Sequence, residues 1–334
     1  MGKNRSSITA KVSSLVFVAV FLLILLLVVL FWPTLLTPRR PYISQTVFIP
    51  PGSGVRQIAS ILKSYRIIDY PLYFTLTAKL KGVENSLKAG EYRFNNRMST
   101  KELLDQLKKG ETITSSFTIP EGYNLREIAG RLQDEGFASS KRFLSLCYDR
   151  DFISSLGLNV ESLEGYLFPD TYQAVRGTSE EEIIRAMFNR FQEITDPFRG
   201  KIKKMDISLH SIIILASLIE KEVQKEEERP LVSAVFYNRL KQGMPLESCA
   251  TVLYALGYHK YLLTYDDLKI KSPYNTYLHP GLPPGPICSP GRTSIKAALN
   301  PAPVPYLYFV AQQNGNHQFS ETYIQHQRAK RKNK

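Results

Sequence analysis

Two stretches of the chain, FIPPGSGVRQIASIL at 48–62 and TIPEGYNLREIAGRL at 118–132, align without a gap. They share Ile-Pro, Gly, Arg, Ile-Ala and Leu at matching positions, so the fold has to accommodate one small unit twice. Each copy has a strand ending at proline, a glycine turn and an amphipathic helix. In the first copy Val55, Ile58, Ala59 and Leu62 fall on one helix face, and Leu125, Ile128, Ala129 and Leu132 repeat that face in the second.

The rest of the chain alternates short strands with helices. In AGEYRFNNRMSTKELLDQLKKG (89–110) a short strand precedes a helix with Ser99 or Thr100 as N-cap and Gly110 as its stop. LEGYLFPDTY (163–172) is expected to be a strand, followed by the Ser179-capped acidic start of a helix in SEEEIIRAMFNRF. One helix is expected from about Ser208 to Glu228, and Pro230, at an N1-like position, opens another that runs to Gly243. The stretch SPYNTYLHPGLPPGPICSPG (272–291) is too rich in proline and glycine for a packed helix or central strand, and an ordered loop of that length shapes a site more often than it links domains. YLYFVA (306–311) and HQFSETYIQH (317–326) suggest a hairpin and a closing helix. The fold class is therefore α+β.

Length and composition set the outer bounds. The chain's 334 residues allow about two domains, and its 43% hydrophobic and 22% charged residues are those of a globular protein. Leu15 to Trp32 contains no charge, glycine or proline, which suits a bilayer anchor better than a cleaved signal peptide with its shorter apolar core. Lys3, Arg5 and Lys11 before it and Arg39 and Arg40 after it give only a slight bias toward a cytoplasmic N-terminus. Export of the large body rests on that body being one soluble mass behind a single anchor.

The net charge of +13 points to an anionic partner such as a membrane surface or wall polymer, and no nucleic-acid-binding signature accompanies it. Cys147, Cys249 and Cys288 are too few and scattered for a disulfide scaffold, though one bridge is open to an exported chain. The five histidines lack a paired metal-ligand spacing, so each reads as a surface or core residue.

The chemistry centres on LASLIEKEVQKEEER (215–229), where an oily helix turns into charge at Glu220. Glu220 shares its face with Ile213, Ala216, Ser217 and Val223. A carboxyl with apolar walls is disfavoured in its charged form and can serve as a general acid, as glycoside cleavage requires. The competing reading makes Glu220 the first solvated residue of an exposed helix end, continued by Glu226, Glu227 and Glu228. Glu222 borders an apolar edge as well, and periodicity does not separate the two.

ASLIEKE, VFYNRLKQGMPL, TVLYALG, PYNTY, GLPPGPI and YLYFVA, in this order, resemble the MltG-type (YceG-like) endolytic murein transglycosylases. IPPGSGVRQIA, AGEY, IPEGYNLREIA and LEGYLFPDTY extend the resemblance over roughly 45–327. The resemblance implies that Glu220, first acid of EKE, is the catalytic glutamate. It would protonate the leaving oxygen and then help the sugar's own 6-hydroxyl close to a 1,6-anhydro end. Neither water nor an enzyme nucleophile is then needed.

The implied organisation is a cytoplasmic N-terminus (1–13), an inner-membrane anchor (14–36), LysM-like α+β regions at 42–112 and 113–205, a mixed helical and loop-rich catalytic region at 206–327 and a basic tail (328–334). Strand, turn and short helix in the repeats look like the opening of a LysM-type carbohydrate-binding module, although any small α+β unit could open so. The large domain would lie on the outer face of the membrane, cutting nascent peptidoglycan strands in association with penicillin-binding synthases.

Glu222, Asn238, Thr251, Tyr254, Tyr274, Asn275 and Tyr277 are the groove-lining or supporting candidates. Tyrosine rings stack on pyranose faces and amides bond hydroxyls, but each of these residues also suits core packing or a turn, Asn275 as an Asx turn. The chain departs from the family at Glu247-Ser248-Cys249-Ala250, where a pattern like Gln-Ser-Asp-Pro is usual. That departure keeps open a noncatalytic wall-binding scaffold, and a lysozyme-like hydrolase differs from the transglycosylase only in using water. A Cys249 nucleophile lacks a neighbouring histidine in sequence.

Overall fold

The computed structural model describes residues 17–22, 24, 41–258, 260 and 262–332. It divides into two compact units, Met1–Ile113 and Thr114–Lys334. The anchor expected over 14–36 lies outside the described residues except for 17–22 and 24, which are helical and exposed. Among the described residues no helix is long and apolar enough to cross a membrane.

In the first unit Ser44–Ile49 pairs antiparallel with Gly90–Asn95, placing Val47 opposite Tyr92. The two-residue alternation of a strand turns Val47, Ile49, Tyr92 and Phe94 inward and leaves Phe48 and Arg93 outside. Helices Val55–Ser64 and Pro71–Leu80 lie between the strands in sequence, and Thr100–Lys109 follows. Ile58, Ala59 and Leu62 are buried as the helical period requires. Ser99 caps the last helix through a reciprocal bond with Glu102, and Gly110 ends it at φ 75°.

The second unit opens with the other copy of the repeat. Ser115–Thr118 pairs with Thr171–Ala174, and helix Leu125–Asp134 buries Leu125, Ile128, Ala129 and Leu132. Its cap is stronger than the first copy's: Asn124 accepts from Arg126 and Glu127 where Gly54 offers no side chain. The strand expected over 163–172 starts only at Thr171. Ahead of it Gly165, at φ 80°, turns the chain, and Leu163, Tyr166, Leu167 and Phe168 are all buried in the core.

Ser179 caps helix Glu180–Thr195 through Glu182. Helices Leu209–Glu222, Arg229–Lys241, Cys249–Leu256 and Arg292–Leu299 follow, and then a hairpin, Tyr308–Ala311 with His317–Ser320. The closing helix, Tyr323–Lys332, takes in most of the expected basic tail. The helix expected to reach Glu228 stops at Glu222, because Val223 turns extended and buries its side chain.

A single apolar core runs from Phe117 through Leu163, Ile184 and Ile213 to Leu299, so the regions 113–205 and 206–327 share it. At its centre Leu209–Glu222 is buried on every side from Ile212 to Ile219 and packs on Arg292–Leu299 and Arg229–Lys241. The three cysteines are free thiols, Cys147 and Cys288 buried and Cys249 exposed.

Candidate functional site

The central helix delivers Glu220 in its last turn. Ser208 caps the helix start by accepting from Ser211, and the proline- and glycine-rich loop runs alongside. His210 Nε2 lies 3.0 Å from the Pro284 carbonyl, Ile287 N–H donates to Ser217 Oγ at 3.1 Å, and Gly291 N–H donates to Glu220 Oε2 at 2.8 Å. The loop expected to shape a site thus touches the Glu220 carboxyl at Gly291.

Glu220 is neither solvated nor walled by carbon alone. Its side chain is 7% exposed, and Arg229 Nη1, on a side chain 8% exposed, sits 3.0 Å from Oε2. The same Nη1 donates to Ser294 Oγ at 2.5 Å, while Arg229 Nε is buried without a partner. A guanidinium therefore replaces part of the expected apolar wall. Arg229 stands at the start of its helix beside Pro230, the position from which a long side chain reaches back to the helix that ended at Glu222. The EEER run is not uniformly solvated either. Glu228 is buried, accepting from His317 N–H at 2.9 Å and lying 2.7 Å from His317 Nδ1.

A second carboxyl completes the group. Gly122 N–H donates to the Ser289 carbonyl at 2.9 Å and Ser289 N–H to the Tyr123 carbonyl at 2.8 Å, a backbone pairing that lays the second repeat's turn against the loop. Lys221 Nζ adds a bond to the Gly122 carbonyl at 3.3 Å. Glu121, exposed, is thereby set against Gly291: a Cβ built on that glycine would fall 2.0 Å from the Glu121 carboxyl. Partial desolvation first, and then the charge of Glu220, push the Glu121 carboxyl upward against the opposing pull of Arg229. Sequence reasoning missed Glu121 and Arg229. The repeat held a signal for the former, because the matching position of the first copy is Pro51.

Glu164, also missed, lies at 2% exposure under the same turn. Its carboxyl accepts from Leu125 N–H at 3.2 Å and from Tyr254 Oη at 3.1 Å, yet burial outweighs both and pushes it up to about 8. The folded chain thus keeps a proton that the unfolded chain releases above the ordinary carboxyl value of 4.5. The stabilising contribution is fully present below that value and is lost as pH rises through about 8, at most about 1.4 kcal/mol per pH unit. Urea unfolding at pH 5 and pH 8 is expected to show a smaller loss of stability in Glu164→Gln than in the natural chain. An equal loss in both would mean that Glu164 is not the titrating group.

The remaining candidates divide by what their polar atoms hold. Glu222 accepts the Ser248 hydroxyl at 2.5 Å, and burial pushes its carboxyl upward. Tyr277 Oη lies 3.1 Å from Cys249 Sγ, and desolvation raises that thiol, which makes it a poor nucleophile. Tyr254 and Tyr274 rings pack at 4.9 Å, both half-buried.

Asn238 Nδ2 donates to the Val304 and Tyr306 carbonyls, each at 2.9 Å, fixing the entry to the hairpin. Thr251 and Asn275 are fully buried, so they support the loop rather than line a groove. Thr251 Oγ1 donates to the Ser248 carbonyl at 2.7 Å. Asn275 Nδ2 donates to the Leu268 and Ile270 carbonyls at 2.9 and 3.0 Å, and its Oδ1 accepts from Tyr277 N–H at 3.0 Å, an Asx turn. Among the described residues no group of three or more His, Cys, Asp or Glu side chains is placed to hold a metal ion.

Residues 47–332 match the model of the YceG-like family. An endolytic murein transglycosylase of Bacillus subtilis (strain 168) is 40% identical over 300 residues, covering 85% of this chain and 83% of that protein. One from Streptococcus pneumoniae serotype 2 (strain D39 / NCTC 7466) is 38% identical over 297 residues, 80% of this chain and 54% of that protein, so the chain spans about half of the pneumococcal relative's length. A crystal structure of a yceG-like protein from Listeria monocytogenes has a TM-score of 0.62 and 36% identity, covering 86% of this chain and 100% of that one.

Proposed function

Because the chain belongs to the YceG-like family, we propose that it is an endolytic murein transglycosylase that cuts MurNAc-GlcNAc β-1,4 bonds within peptidoglycan strands and leaves 1,6-anhydro-MurNAc ends. The observation that carries this reading is a nearly buried carboxyl at a helix end, held through one oxygen by Arg229 and Gly291. Fixing a reacting group before the substrate arrives removes orientational cost from the chemical step.

In the reaction a carboxyl of the site gives its proton to the leaving oxygen as the C1–O4 bond breaks. The MurNAc 6-hydroxyl closes on C1 and gives its proton to Glu220. No water is consumed, because the nucleophile belongs to the substrate.

The apolar segment from Leu15 to Trp32 supports a single-pass anchor in the cytoplasmic membrane with the large body on the outer side. From that position the enzyme would meet strands as synthases release them and so limit their length. The repeated strand-turn-helix units would grip the sugar chain as LysM-type modules do.

The products decide the reaction. Mass spectrometry of uncrosslinked strands incubated with the full chain is expected to show anhydro-MurNAc termini. Reducing MurNAc termini would indicate a hydrolase, and intact strands that remain bound would indicate a noncatalytic scaffold.

A further inference from the structure

Glycoside cleavage needs a proton at the leaving oxygen as well as a base for the incoming hydroxyl, and the two tasks fit two carboxyls with different surroundings. Glu220 is 7% exposed and accepts both Arg229 Nη1 and Gly291 N–H on one oxygen, so it is built as an acceptor. Glu121 is exposed beside it, free of any such guanidinium bond among the described contacts, and meets Glu220 at the same glycine.

The position of Glu121 is fixed by backbone. The reciprocal bonds between Gly122, Tyr123 and Ser289 hold its turn, and a Cβ on Gly122 would lie 3.7 Å from Glu220 Cγ. Of the two copies of the repeat, only the one in the unit that holds Glu220 carries an acid here, the other having Pro51.

We propose that Glu121 is a second catalytic carboxyl, the acid that protonates the leaving GlcNAc oxygen, while Glu220 takes the proton of the MurNAc 6-hydroxyl. This rests on the transglycosylase reading above. The balance is closed: Glu121 loses one proton to O4 as the C1–O4 pair leaves with that oxygen, O6 bonds to C1, and Glu220 gains the O6 proton. Exchange with solvent then returns a proton to Glu121 and removes one from Glu220. Partial desolvation and then the charge of Glu220 push the Glu121 carboxyl upward, against the pull of Arg229, which is the direction an acid needs.

The test compares two substrates: natural uncrosslinked strands, and strand fragments in which 4-nitrophenolate replaces the leaving sugar and departs without needing a proton. Glu121→Gln is expected to lose about 100-fold in kcat on strands and far less on the aryl substrate, whereas Glu220→Gln loses both. Gly291→Ala offers a second route. Gly291 has an ordinary φ of −74°, so alanine fits the backbone while its Cβ displaces the Glu121 carboxyl, and the same split between substrates is expected.

Unchanged strand cleavage by Glu121→Gln overturns the proposal. An equal loss on both substrates, with an unchanged melting temperature, overturns it too, since that would make Glu121 a positioning residue. Failure of the natural chain to cut strands at all would instead sink the functional reading on which the proposal stands.

Discussion

Replacing Arg229 with leucine is expected to cost the Thr114–Lys334 unit about 3–5 kcal/mol, because the change leaves Glu220 as a buried charge without its partner. Both side chains are nearly out of solvent, at 8% and 7% exposure, and the guanidinium also ties Glu220 to Ser294 on the neighbouring helix. The pair itself is a weaker stabiliser than that number suggests. Desolvating two ions offsets most of their attraction, and Arg229 Nε is buried with no acceptor. Arg229→Leu combined with Glu220→Leu is therefore expected to recover most of the loss, and a double-mutant cycle read by urea unfolding separates the coupling from the cost of each single change. A single-variant loss below about 1 kcal/mol would mean that the ion pair does not form as described.

Glu220→Gln carries the second large effect. On the proposed reaction, removing the Glu220 carboxyl is expected to lower kcat on glycan strands by about 10³-fold, about 4 kcal/mol in the barrier, with KM changing little. The substitution also leaves Arg229 facing a neutral amide, so some stability is lost with the activity. Thermal melts of both chains at the assay temperature separate the two losses: a variant that is folded and binds strands but does not cut them has lost the chemical step. A strong rise in KM at unchanged kcat would instead make Glu220 a binding group.

Much of the fold is legible from short-range physics. The Ser99 and Ser179 caps, the Gly110 stop, the two repeat helices and the hairpin before the closing helix all follow from local spacing and end in the expected places. What fails does so where the core outranks local pattern. Only Thr171 and Tyr172 of LEGYLFPDTY enter the strand, because Gly165 turns the chain and Leu163, Tyr166, Leu167 and Phe168 pack into the core, and the 209–222 helix ends early because Val223 is drawn inward.

The site is legible only in part. The seam in LASLIEKE singles out Glu220, and the proline-rich loop announces an irregular wall, but neither says what meets Glu220. Arg229 hides in a run of charges that looks solvated, and its pairing spans a helix break that no period encodes. Glu121 and Gly291 are 170 residues apart in sequence and meet only through backbone pairing at Ser289. Thr251 and Asn275, chosen for polarity, are fully buried because the loop's own backbone needs their hydrogen bonds.

The most direct measurement is a time course of strand length and strand ends for the full natural chain and its Glu220→Gln variant on the same uncrosslinked glycan, with binding of each followed in parallel. Both chains are expected to bind, and only the natural chain to shorten the strands and accumulate anhydro termini. Strands shortened equally by both would place the reaction away from Glu220 and contradict the account.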